Sequence, residues 1–125
     1  MGPSLGSILI YARSMQRTAD FYTRFFGFES SGAVEGLITL TPPSGGAMIV
    51  IHQAAKSIKL GQVGVKLVFD VQDVEEFKTR SAALGLMFGP THTANWYSFA
   101  NTKDPDKNSV AISSRAFRKR PEQGV

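Results

Sequence analysis

At 125 residues, with 42% apolar and 19% charged side chains, the chain has the length of one domain and enough apolar content to bury a core. No stretch approaches the roughly 18 unbroken apolar residues of a membrane span, and twelve glycines without a Gly-X-Y period exclude collagen. The absence of cysteine excludes a disulfide framework, a thiolate zinc site and a cysteine nucleophile. The formal charge of +4 comes mostly from Arg115, Arg118, Lys119 and Arg120 set against Glu122 in residues 115–125. That tail reads as a solvated basic end, with Phe117 its one aromatic residue, so neither a nucleic-acid module nor a membrane contact is expected. The N-terminus carries no basic leader before its short apolar run, and the cytoplasm is the expected compartment.

Residues 7–13 alternate apolar and polar side chains, which predicts a half-buried strand ending at Ser14, a good helix N-cap. Met15, Ala19, Tyr22 and Phe26 follow at helical spacing and stop at Gly27, a residue suited to a left-handed helix end. The pattern returns about 59 residues later: a strand over residues 66–72, Asp73 with Glu76 as a capping box, then a helix stopping at Gly85. Short strands are predicted after each helix. In the first half they cover residues 28–31, 37–40 and 47–52, and in the second 87–88, 96–101 and 109–113, with Gly- and Pro-rich turns between.

Each half therefore reads β-α-β-β-β in an α+β fold. The expected organisation is one domain made of module 1 (about 5–52), a linker (53–64), module 2 (about 65–114) and the basic tail (115–125). Ile8, Ile10, Ala12, Ile49, Ile51, Leu67, Phe69, Val71, Val110 and Ile112 fall on the faces expected beneath the helices. The opposite faces carry Ser7, Leu9, Tyr11 and Arg13, then Met48, Val50 and His52, then Lys66, Val68 and Asp70, then Ser109, Ala111 and Ser113. Such a mixed surface is a solvated sheet, a dimer contact or the wall of a pocket. The apolar share favours a pocket.

The run SMQRTADFY over residues 14–22, continued by FGFE at 26–29, and the turn DPDKN at 104–108 are the motifs that carry a family likeness. With the duplicated module they resemble the vicinal oxygen chelate superfamily of glyoxalase I, bleomycin-resistance proteins and extradiol dioxygenases. The resemblance covers residues 5–114. It implies two modules forming a curved mixed sheet around a cleft, helices on the outer face, in a homodimer. It also implies metal-ligand positions, which fall here on Ser7, Val50, Lys66 and Ala111, with His52 on the same face as Val50. Those side chains are a poor donor set for a divalent metal, so a protein working with no metal and no cofactor is expected.

Candidate contacts for a small organic ligand are Tyr11, His52, Lys66 and Trp96. His52 is a ligand contact, a candidate general base, or a strand-end histidine half in solvent. Lys66 could hold a ligand anion, pair with Asp70, or extend to water. Tyr11, Trp96 and Tyr97 could stack on a flat ligand or serve as ordinary core and dimer contacts. His92 reads as a surface loop residue, and Asp104 and Asp106 as turn formers. Sequestration of a small, partly apolar molecule is the leading expectation. The alternatives are a lyase, isomerase or dioxygenase using a metal or His52, and a dimerisation scaffold without a ligand.

Overall fold

The structure is a computed structural model that describes residue 2 and residues 4–119; Arg120 and the rest of the basic tail lie outside the described residues. The chain divides into two units. The first runs to Val63 and takes in Asp104–Lys107; the second is Gly64–Lys103 with the chain from Asn108 onward.

In the first unit, β1 (Ser7–Ala12), β2 (Glu29–Val34), β3 (Leu37–Thr41) and β4 (Met48–Gln53) form a sheet of order β1-β4-β3-β2. β1 and β4 run parallel, and the other neighbours are antiparallel. Helix α1 (Met15–Phe26) supplies the crossover. The Ser14 side chain accepts from the Arg17 amide at its start. Gly27 ends the helix at φ 75, a left-handed conformation in which a side chain would be strained. Beneath the helix lie Ala12, Ile38, Leu40, Ile49 and Ile51, all buried. Their alternation along the strands is why one face of this sheet is dry. Phe21, Tyr22, Phe26 and Phe28 close the core as an aromatic cluster, with ring centroids 5.0 to 6.2 Å apart and Tyr22 edge-to-face with Phe21 and Phe28.

The second unit repeats the plan. β5 (Lys66–Asp70), β6 (His92–Ala94), β7 (Tyr97–Lys103) and β8 (Ser109–Ser113) form a sheet of order β5-β8-β7-β6, again with its one parallel pair made by the first and last strands. Helix α2 (Val74–Ala83) begins where the Asp73 side chain accepts from the Glu76 amide. Leu67, Ala100, Val110 and Ile112 form its dry face. A 3₁₀ turn, η1 (Arg115–Phe117), follows β8.

One expected strand is displaced. Residues 87–88 are not a strand, and β6 lies at His92–Ala94. The Gly89 amide does bond to the Asn101 carbonyl at 2.8 Å, but Pro90 has no N–H with which to extend a ladder. The strand expected from residue 96 begins at Tyr97, because Trp96 occupies the β6–β7 turn at φ 62.

Candidate functional site

The sheet face turned away from α1 is the first unit's candidate site. Strand register sets Tyr11 beside His52 beside Leu37, Leu9 beside Val50 beside Thr39, and Ser7 beside Met48. Leu9 is 47% exposed, Tyr11 44% and Met48 37%. These are apolar or aromatic groups on a face where a merely solvated sheet would carry charge. The Tyr11 and His52 rings meet edge to face, 5.4 Å between centroids. His52 Nδ1–H donates to the Gln53 carbonyl at 2.8 Å. A carbonyl can only accept, so in the neutral ring Nε2 carries the lone pair. The end of β4 is braced around this ring. The Gln53 amide donates to the Arg13 carbonyl at 2.9 Å, and the Arg13 guanidinium donates to the carbonyls of Ala55 and Ile58 at 3.1 and 2.6 Å.

The corresponding face of the second unit is different in kind. Its rows are Lys66–Ser109–Lys103, Val68–Ala111–Asn101, and Asp70–Ser113–Phe99–His92. Lys66 Nζ donates to Asn101 Oδ1 at 2.9 Å, a partner that strand alternation alone did not single out. Ala111 and Ser113 lie on this face and are nonetheless buried. Trp96, expected within a strand beside Tyr97, stands at the tip of the β6–β7 hairpin and is 53% exposed. His92, expected in a loop, is exposed on β6 with its ring 5.1 Å from that of Phe99. Tyr11 and His52 are thus brought together in the first unit, whereas in the second Lys66 lies on β5 and Trp96 in the β6–β7 turn.

A cavity of about 250 Å³ opens on the helix side of the second sheet, lined by Asp73, Glu75, Thr91, Ser98 and Ser114 among others. The hydroxyls of Thr91 and Ser114 are already engaged. Thr91 donates to Glu75 and accepts from Lys78, and Ser114 accepts from the Ser98 amide.

The largest surprise is the turn at 104–107. Asp104 and Asp106 are 4% and 5% exposed. Asp106 accepts from the Arg13 amide at 3.0 Å and from the Thr18 hydroxyl, and Asp104 accepts from the Tyr22 hydroxyl at 2.8 Å. Asp104 also accepts from the Asp106 amide at 2.8 Å, so both carboxylates are satisfied inside the first unit. Burial, and then the charge and hydrogen bond of Asp104 with a further push from Asp106, drive the Tyr22 phenol far above its ordinary range. It stays protonated and stays a donor. The sequence did hold a signal for this network: two hydroxyls, on Thr18 and Tyr22, lie within an otherwise apolar helix stripe.

The implied metal positions do not fit a metal. Val50 and Ala111 have no donor atom, Lys66 is itself a hydrogen-bond donor to Asn101, and Ser7 offers a lone hydroxyl. Among the described residues no three His, Cys, Asp or Glu side chains stand together.

Comparison with known proteins yields one family. The model of the "Glyoxalase/Bleomycin resistance protein/Dioxygenase superfamily" matches residues 4–112. No curated protein matches the chain. Among solved structures, lactoylglutathione lyase from Agrobacterium tumefaciens is 24% identical with a TM-score of 0.70, over 90% of this chain and 93% of the other. TnmS3, an antibiotic binding protein from Streptomyces sp. CB03234, is 17% identical with a TM-score of 0.74, over 88% and 93%. The oxidase ChaP-H2 is 18% identical with a TM-score of 0.73, over 99% and 100%. At these identities the likeness is one of fold, while the family match spans both units. The chain belongs to the glyoxalase/bleomycin resistance protein/dioxygenase superfamily.

Proposed function

We propose that this chain binds a small, partly apolar organic molecule without transforming it, in the manner of a resistance or sequestration protein. The observation that carries the reading is the open face of β1 and β4, where exposed Leu9, Tyr11 and Met48 lie about His52, whose Nε2 has no partner among the described residues, with the Ser7 and Thr39 hydroxyls on the same face. A largely apolar surface with a few polar groups suits a ligand with an apolar body and a hydrogen-bond donor for His52 Nε2. In the second unit, Lys66 and Trp96 are the proposed contacts. Lys66 keeps two N–H groups beyond its bond to Asn101, enough to hold a carboxylate. An antibiotic-binding protein with this fold makes such a role compatible with the scaffold. Scaffold likeness by itself does not assign a task. The proposed working form is a homodimer, which light scattering on the purified protein tests directly.

Calorimetric titration with 2-naphthol tests the first-unit contacts. Saturable binding that weakens about tenfold in Tyr11→Ala and in His52→Ala is expected. Binding that is equal in all three proteins overturns the assignment of this face. Lys66→Ala is expected to weaken 2-naphthoate more than 2-naphthol, and an equal effect on both removes Lys66 as an anion contact.

The fixed tautomer of His52 favours a second reading, proton transfer by Nε2 in a lyase or isomerase. Turnover of a hemithioacetal that disappears in His52→Ala supports it, and absence of turnover in the native protein removes it.

A further inference from the structure

We propose that Lys66 and Lys103 together make the open face of the second sheet selective for a small organic molecule with a dianionic head, a phosphomonoester in preference to a singly charged anion. The inference rests on the proposed reading of this face as a ligand surface, and adds to it a second residue and a charge requirement.

The two lysines share one row. Strand register puts Lys66 of β5 and Lys103 of β7 on either side of Ser109 of β8. Their Cα atoms are therefore two strand spacings apart, roughly 10 Å, with both side chains on the same face. Both residues are exposed, yet each ammonium is turned along the sheet. Lys103 Nζ donates to Ser109 Oγ at 3.0 Å, which draws it over the middle strand. Lys66 Nζ donates to Asn101 Oδ1 at 2.9 Å, and Asn101 lies on β7, so the Lys66 stem crosses β8 to reach it. The crossing passes Ala111, which opposes Asn101, has only a methyl group, and is 2% exposed although it lies on the open face. Neutral acceptors thus draw both charges inward from the strands on either side of β8.

Like charges gathered in this way repel, and no acid offsets them. Among the described residues neither ammonium forms an ion pair with a carboxylate. The acid that β5 carries on this face is Asp70, four residues from Lys66 and so about 13 Å along the strand, beyond the Debye length of about 8 Å at physiological salt. Each ammonium has three N–H groups and uses one in the bonds above, so two remain on each. With Oδ1 turned to Lys66, the Asn101 carboxamide presents its NH2 as a neutral donor on the same face. Surplus donors and two unbalanced charges call for an anion, and a doubly charged one gains most from them. The next row offers an apolar platform for the rest of the molecule in Val68, which is 55% exposed. A phosphomonoester has such a head, with three acceptor oxygens and nearly two negative charges above its second pKa of about 6.

The test is calorimetric titration of the full chain with 2-naphthyl phosphate and 2-naphthyl sulfate, two esters alike in shape but unlike in charge. It is run at about pH 8 and fixed ionic strength, with amide NMR shifts locating each ester. The phosphate is expected to bind about tenfold more tightly than the sulfate, with shifts centred on residues 66–68, 101–103 and 109–111. Lys103→Gln should reduce that ratio to about twofold, and Lys103→Arg, which keeps the charge, should preserve most of it. Lys59→Gln removes the same charge from an exposed position in the first unit and should leave the ratio at about tenfold. A thermal midpoint for each variant separates loss of binding from loss of fold. Equal affinity for the two esters at these rows, or a preference kept in Lys103→Gln, overturns the charge requirement and leaves the ligand face standing. Saturable binding of neither ester, or shifts that spare these rows, overturns both.

Discussion

In the first unit the buried carboxylates lie under the helix and the open face is largely apolar; in the second the open face holds more of the polar groups and the helix covers little. Helix α1 buries Thr18, Ala19, Phe21 and Tyr22, while α2 buries only Val74 and Ser81. The hydroxyls of α1 bond to two buried carboxylates, which leaves its sheet's far face to Leu9, Tyr11 and Met48. The second sheet's far face is occupied by Lys66 bonded to Asn101 and Lys103 bonded to Ser109. One element order therefore serves two surfaces of different chemistry. The strand periods fix which residues face out, and the residue types on those faces fix what each unit can bind.

The contrast breaks most visibly at the buried turn. Asp106→Ala removes the acceptor for the Arg13 amide and the Thr18 hydroxyl together, and is expected to destabilise the protein by about 3 kcal/mol in urea unfolding. Ser44→Ala, in the exposed β3–β4 turn of the same unit, should change stability by no more than about 0.5 kcal/mol. Similar values for the two would show that the carboxylates merely shape a turn. Tyr22→Phe is next, with an expected loss of about 1.5 kcal/mol from the bond to Asp104.

The same phenol sets a pH dependence. Its folded-state affinity for the proton is raised, so below about pH 10 it is protonated folded and unfolded alike and its contribution is complete. Above that pH the unfolded chain ionises first, and stability falls as pH rises by up to about 1.4 kcal/mol per unit. Tyr22→Phe should remove that share of the alkaline slope; an unchanged slope would place its cause elsewhere. A smaller effect than at Asp106 or Tyr22 is expected at Lys107, a non-glycine residue at φ 67. Lys107→Gly should stabilise the protein by about 0.5 to 1 kcal/mol, provided the turn keeps its conformation. A loss of stability would mean that the Lys107 stem contributes more than its backbone strain removes.

Much of this architecture was legible in the sequence because it is local. Period-two alternation gave the sheet faces, and Ser14, Gly27 and Asp73 marked helix ends through contacts within a few residues. The strand expected at residues 87–88 failed for a local reason too, since two apolar residues before Gly89-Pro90 cannot sustain a ladder. What could not be read was long-range. The bonds of Asp104 and Asp106 to Arg13, Thr18 and Tyr22 join residues 82 to 93 positions apart, and Lys66 reaches Asn101 across 35. No periodicity encodes such pairs; only the oddity of hydroxyls inside the α1 stripe hinted at a hidden acceptor. Of the candidate contacts, strand register foretold that Tyr11 and His52 share a face, but nothing local announced that Trp96 would take a left-handed turn position.

The open face of β1 and β4 is the ligand surface proposed for this protein. The most direct measurement is an amide and methyl NMR shift map of the whole chain titrated with 2-naphthol. Saturable shifts concentrated at Leu9, Tyr11, Met48, Val50 and His52 are expected, with the His52 Nε2 resonance moving as it accepts a hydrogen bond from the naphthol hydroxyl. Saturable shifts that spare those residues, or an absence of saturation anywhere, would contradict it.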